Sequence, residues 1–213
     1  NMICKHYVRK IELKNKGVST LAAKKIWYDS SVNRLNDLGH GELLGDFSGD
    51  DKIILVSELG FFYLTSYDLS NHFPENIKII EKYNPSSVLT CIYYNSKNKL
   101  HYIKRFKPKE ISKKQYYLQE NKGFNLKFIF FGSKIIKLNF HNTKTGKIRE
   151  SIEFVSSDFI SVKGYEAIGK QISQYKLKSI ELIESQNIEK NDKDLIENED
   201  FSRNSGQIKL DFN

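Results

Sequence analysis

Cysteine is almost absent from this 213-residue chain: Cys4 and Cys91 are the only two, far apart and without metal-ligand spacing around either. That argues against a disulfide framework and points to a reducing compartment. Cys91, inside the apolar run Val88–Tyr94, reads as a small buried hydrophobe. Only three prolines occur, too few for a Pro-rich linker. No apolar run approaches the roughly 20 residues that span a bilayer, and no signal segment opens the chain. A cytoplasmic location is expected, with no membrane partner. The opening Asn1-Met2, running straight into Tyr7–Ile11, reads as the start of a domain cut from a longer protein.

Catalytic signatures are equally sparse. The five histidines are scattered, and none forms a pair at metal-ligand spacing. No Gly-x-Ser-x-Gly elbow, P-loop or His-Glu-x-x-His occurs. Gly39–Gly45 is glycine-rich but wrongly spaced for a nucleotide loop, and reads as a turn between strands. Glu42, Asp46, Asp50 and Asp51 read as a solvated acidic loop before a strand. The expectation is a domain with no catalytic residue, no metal and no cofactor of its own.

Positive charge is what the chain has in abundance. The formal net charge is +8; residues 183–213 hold eight acidic and four basic residues, which leaves +12 on residues 1–182. Such a domain suits a polyanionic partner, although a Lys- and Asn-rich composition also fits a biased genome. The chain therefore divides into a folded domain, 1–182, and an acidic C-terminal tail, 183–213. Within the tail, Ser185–Asn204 is polar and reads as flexible. Gln207–Phe212 alternates polar and apolar residues, a pattern that suits a sheet edge.

Strand signals dominate the domain. Ile53–Ser57 and Phe61–Thr65 flank the turn Glu58-Leu59-Gly60. Val88–Tyr94 and Leu100–Phe106 form a second hairpin, Lys134–His141 and Lys147–Phe154 a third, and Leu126–Phe131 is a further strand. Ile3–Leu13 resembles Ile172–Leu182 at a constant offset of 169 residues, room for about four propeller-like blades. Hairpins plus a repeat favour an all-β array of blades, with a β-sandwich as the alternative.

Basic residues cluster among aromatics in three places. One cluster combines Lys97, Lys99, Lys104, Arg105, Lys107, Lys109, Lys113 and Lys114; the neighbours Lys104 and Arg105 must face opposite sides of a strand. A second holds Lys134, Lys137, Lys144, Lys147 and Arg149. The third holds Lys14, Lys16, Lys24, Lys25 and Arg34. Basic hairpin tips recurring from blade to blade would make a stripe suited to phosphate backbone rather than base reading. The competing function is a propeller-like protein-interaction domain with incidental basic charge.

Longer segments carry a resemblance: Lys16–Asp29, Val32–Asn36, Gly41–Phe47, Asp51–Ile54, Tyr67–Phe73, Ile80–Pro85, Tyr102–Phe106 and Val162–Gly169. Together they resemble the C-terminal domain of the gyrase/topoisomerase IV A subunit in its Bacteroidetes form. The resemblance implies a β-pinwheel of about four antiparallel blades, complete or partial, that binds and bends duplex DNA in a nucleoid-associated enzyme. It places the catalytic tyrosine, metal site and ATPase elsewhere, on the rest of the A subunit or on the B subunit of a heterotetramer. No good copy of the gyrase basic box is found, because Lys144–Lys147 is too short, so a topoisomerase IV-like role is favoured. Related domains also carry acidic tails that compete with DNA, a role the charge of residues 184–200 would allow.

Overall fold

The computed structural model describes residues 22–183 apart from 112, 120–122 and 144–145. The first copy of the repeat, Lys14, Lys16, Lys144 and residues 184–213 of the acidic tail lie outside the described residues. In chain order the strands are β1 (Lys24–Asp29), β2 (Arg34–Asn36), β3 (Glu42–Phe47), β4 (Lys52–Ser57) and β5 (Phe61–Ser66). Next come β6 (Ile77–Lys82), β7 (Leu89–Asn95), β8 (Leu100–Phe106), β9 (Gln115–Tyr116) and β10 (Phe124–Phe131). The last are β11 (Ile135–Phe140), β12 (Ile152–Val155), the helical turn α1 (Ser156–Phe159), β13 (Lys170–Gln171) and β14 (Leu177–Ile183).

These strands build four antiparallel sheets, ordered β3-β1-β2, β6-β4-β5-β9, β10-β7-β8-β13 and β14-β11-β12. The architecture is all-β, a propeller-like β-pinwheel in which each sheet is a blade. One rule generates blades 2 to 4, whereas in blade 1 β2 leads directly to β3 through residues 37–41. By that rule a hairpin supplies the first two strands, the chain then crosses to the preceding blade, and it returns to add the third strand beside the first.

Residues after β5 reach back to β2 through the Arg34–His72 bridge. After β8, the chain pairs Tyr116 with Phe61 as β9. After β12, Lys170 pairs with Ile103 as β13. Each crossing segment ends in an apolar residue that enters a core: Phe73, then Tyr117 and Leu118, then Ile172.

Three apolar clusters fill the three gaps between successive blades. Ile26, Tyr28 and Phe47 pack against Ile53 and Leu55. Ile54, Val56 and Phe62 pack against Leu89, Cys91 and Phe106. Ile92 and Ile103 pack against Ile136, Leu138 and Phe140. The middle blades are thus buried on both faces, which explains why β4 is an unbroken apolar run instead of an alternating one. Blade stacking of this kind rules out the sandwich alternative, in which two large sheets share one core.

Several expected features shift. The third hairpin returns only at Ile152, paired with Leu138, and the described residues between Phe140 and Ile152 carry no strand. Glu42–Phe47 is a strand rather than a turn, with a bulge where β1 passes from Ile26 to Trp27. Gly41 just before it has φ +85°, and a Cβ there would lie 2.1 Å from the Tyr28 carbonyl oxygen, so only glycine fits. Of the acidic group, Asp51 is ion-paired with Lys82 at 2.8 Å. No cluster of metal-ligating side chains occurs among the described residues, and no helix there is long and apolar enough to cross a membrane.

Candidate nucleic-acid interface

The two crossings that leave and enter blade 3 meet beside β8, and they organise the basic residues. The residue pair Lys104 and Arg105 splits across the strand, as alternation requires. Lys104 points inward and is 3% exposed. Its ammonium donates to the carbonyl of Tyr117 and to those of Tyr165 at 2.8 Å and Ala167 at 3.0 Å. Burial lowers its pKa to about 8, with the neighbouring Cys91 opposing the shift. Lys104 therefore differs from the surface role expected for it: its donors are consumed inside the fold. Arg105 is half-buried and donates to the Ile160 carbonyl at 3.3 Å.

On the outside, the same crossings bring distant lysines together. The backbone N–H of Lys163 donates to the Arg105 carbonyl at 2.8 Å, and Phe106 and Lys163 form a parallel bridge. Lys107 and Lys109 leave β8 alongside, with the Lys109 ammonium 5.7 Å from the Tyr165 ring. Lys107, Lys109 and Lys163 are exposed and have no acidic partner within 4 Å among the described residues. Lys113 and Lys114 follow before β9, with Lys114 4.5 Å from the Phe61 ring.

The remaining candidates are dispersed. Lys24 is ion-paired with Asp37 at 2.7 Å and Lys137 with Glu153 at 2.9 Å. Lys25 and Arg34 lie exposed on blade 1. Lys97 and Lys99 are exposed at the β7–β8 turn, where Lys99 takes φ +59°. Arg149 lies 3.7 Å from the Tyr175 ring, Lys147 is exposed beside it, and Lys134 opens β11 half-buried.

Basic hairpin tips do not recur in every blade: the first turn reads Ser30-Ser31-Val32-Asn33 and the second Glu58-Leu59-Gly60. The tips are basic in blades 3 and 4. Moreover, Lys99 and Lys107 bracket β8, so the basic residues at its two ends are roughly 26 Å apart at the rise of an extended strand.

A family model described as topoisomerase C-terminal domain, Bacteroidota, matches residues 34–184. The chain belongs to this family. No curated protein matches it. The match covers every strand described above except β1, and within this topoisomerase C-terminal domain the sequence had pointed to Lys107 but not to Lys163. Fifty-six positions separate the two, and only the strand exchange makes them neighbours. Lys170 is a second residue missed; its ammonium sits 4.0 Å from the Phe159 ring.

Proposed function

We propose that this topoisomerase C-terminal domain is a non-catalytic, duplex-DNA-binding and DNA-bending module of an ATP-dependent type IIA enzyme of the gyrase/topoisomerase IV kind. The supporting observation is the convergence of Lys107, Lys109 and Lys163 at the crossing beside β8. Three ammonium groups with no acidic partner among the described residues, on segments joined by the Lys163–Arg105 backbone bond, suit phosphate oxygens; they release counterions on binding and read no base. Catalysis would then reside on the rest of the A subunit and on an ATPase B subunit, assembled as a heterotetramer acting on the nucleoid in the cytoplasm. Lys25, Arg34, Lys97, Lys99, Lys147 and Arg149 are further candidate contacts along a bent duplex, with Lys134 behind them. Lys16 and Lys144 complete the set from sequence alone.

Binding to a duplex of roughly 40 base pairs, followed through a salt titration with end-to-end FRET, tests the proposal. A steep salt slope with shortened ends is expected. Weak binding without shortening at physiological salt favours the protein-interaction reading.

A further inference from the structure

Among the described residues, blade 4 lacks what every other blade has. In blades 1 to 3 the second strand of the hairpin receives a crossing segment on its free edge, through His72, β9 and β13. Among the described residues β12 pairs only with β11, so no described strand meets the N–H and C=O groups of its other edge. The side chains agree. Beneath the crossing segments Phe61, Phe62 and Ile103 are at most 6% exposed, whereas Ile152 of β12 is 51% exposed and Ile148 just before it 76%.

The faces of blade 4 define what fits there. Ile136, Leu138, Phe140, Phe154, Ile180 and Leu182 point into the core shared with blade 3. The opposite face is polar: Lys137 is ion-paired with Glu153 and lies across from Glu181, and Asn139 donates to Ser179 and Glu181. A strand added to this blade must therefore be apolar on one side only. Gln207–Phe212 has that pattern, with Ile208, Leu210 and Phe212 on one side and Gln207, Lys209 and Asp211 on the other. The 23 residues between Ile183 and Gln207 span far more than the width of one blade, at about 3.3 Å each. Lys209 is also complementary to Glu153 on the polar face of β12.

We infer that Gln207–Phe212 docks on the free edge of β12 as the fourth strand of blade 4, with Ile208, Leu210 and Phe212 covering Ile152 and the adjoining core. The inference is independent of DNA binding. It is tested by hydrogen exchange on the full chain, on a truncation after Gly206 and on Leu210→Asp. The β12 amides should exchange at least tenfold faster in both variants while β4 and β7 stay protected.

A second measurement does not rely on a destabilised variant: Cys4→Ser with Ile152→Cys and Leu210→Cys should form a disulfide within one chain under mild oxidation. Unchanged β12 protection after truncation overturns the inference. So does a disulfide that forms only between chains and only at high concentration, which would make a second copy the occupant.

Discussion

The Lys104 ammonium donates to the carbonyl of Tyr117, although Lys104 belongs to blade 3 and Tyr117 follows β9, the strand lent to blade 2. The same ammonium holds Tyr165 and Ala167 in the segment arriving from blade 4. One cation thus fastens both exchanges at the place where they cross. Lys104→Met keeps the volume but leaves three carbonyls without a donor. It should lower stability by about 3 kcal/mol, since each buried acceptor left unpaired costs on the order of 1–3 kcal/mol and neighbouring losses overlap. Denaturant unfolding checks this.

The same residue predicts a pH dependence. Burial lowers its folded-state pKa to about 8, below the ordinary value of 10.5. Between these values the unfolded chain holds the proton that the folded chain has released, so this group makes stability rise with pH. Cys91 acts oppositely: burial pushes its thiol from 9.0 up to about 12, so its contribution declines above pH 9. Tyr93 and Tyr117, raised by burial, reinforce that decline at higher pH. Stability should therefore rise from pH 8 to 9, and Lys104→Met should abolish the rise. Urea midpoints at closely spaced pH values measure both.

Gly169→Ala should be severe. Gly169 has φ +96°, and a Cβ there would lie 2.4 Å from the Ile103 carbonyl oxygen, at the entry to β13. A side chain must push this segment off β8, at a cost of about 2 kcal/mol or more. Thermal unfolding with hydrogen exchange at β13 should show a lower Tm and early release of that strand.

Charge reversal discriminates among the lysines. Lys107→Glu, Lys109→Glu and Lys163→Glu together should weaken duplex binding at least tenfold. They should also reduce the slope of log affinity against log salt by roughly 3, near one unit per lost phosphate contact. Lys24→Glu and Lys137→Glu, which break ion pairs with Asp37 and Glu153, should change binding far less. Fluorescence anisotropy across a salt series separates the two outcomes.

Deleting residues 183–213 removes eight acidic and four basic residues. If these compete with DNA for the exposed lysines, the shortened chain should bind duplex several-fold more tightly at low salt, with the difference vanishing at high salt. Equal affinity at low salt would show that the tail leaves the basic surface alone.

The hairpins β4–β5 and β7–β8 were legible because their apolar runs and turn residues act within single stretches, Lys52–Ser66 and Leu89–Phe106. β9 and β13 were not, because two-residue strands such as Gln115–Tyr116 carry no periodicity and exist only through the partner they cross to. Trp27, Leu43 and the rest of blade 1 were passed over for a related reason: a strand that Gly41 precedes and Gly45 interrupts resembles a turn when read alone.

Composition and patterning by themselves determined an all-β, strongly basic chain with an acidic tail, since strand propensity, turn chemistry and net charge are local or summed properties. Only the tertiary structure decided which lysines face solvent. Lys104 and Lys107 lie three positions apart in one basic cluster, yet the first is enclosed by carbonyls from two exchanged segments and the second joins Lys163 at the surface. Burial and juxtaposition depend on which distant segments cross a strand, and that information lies in the packing of the blades.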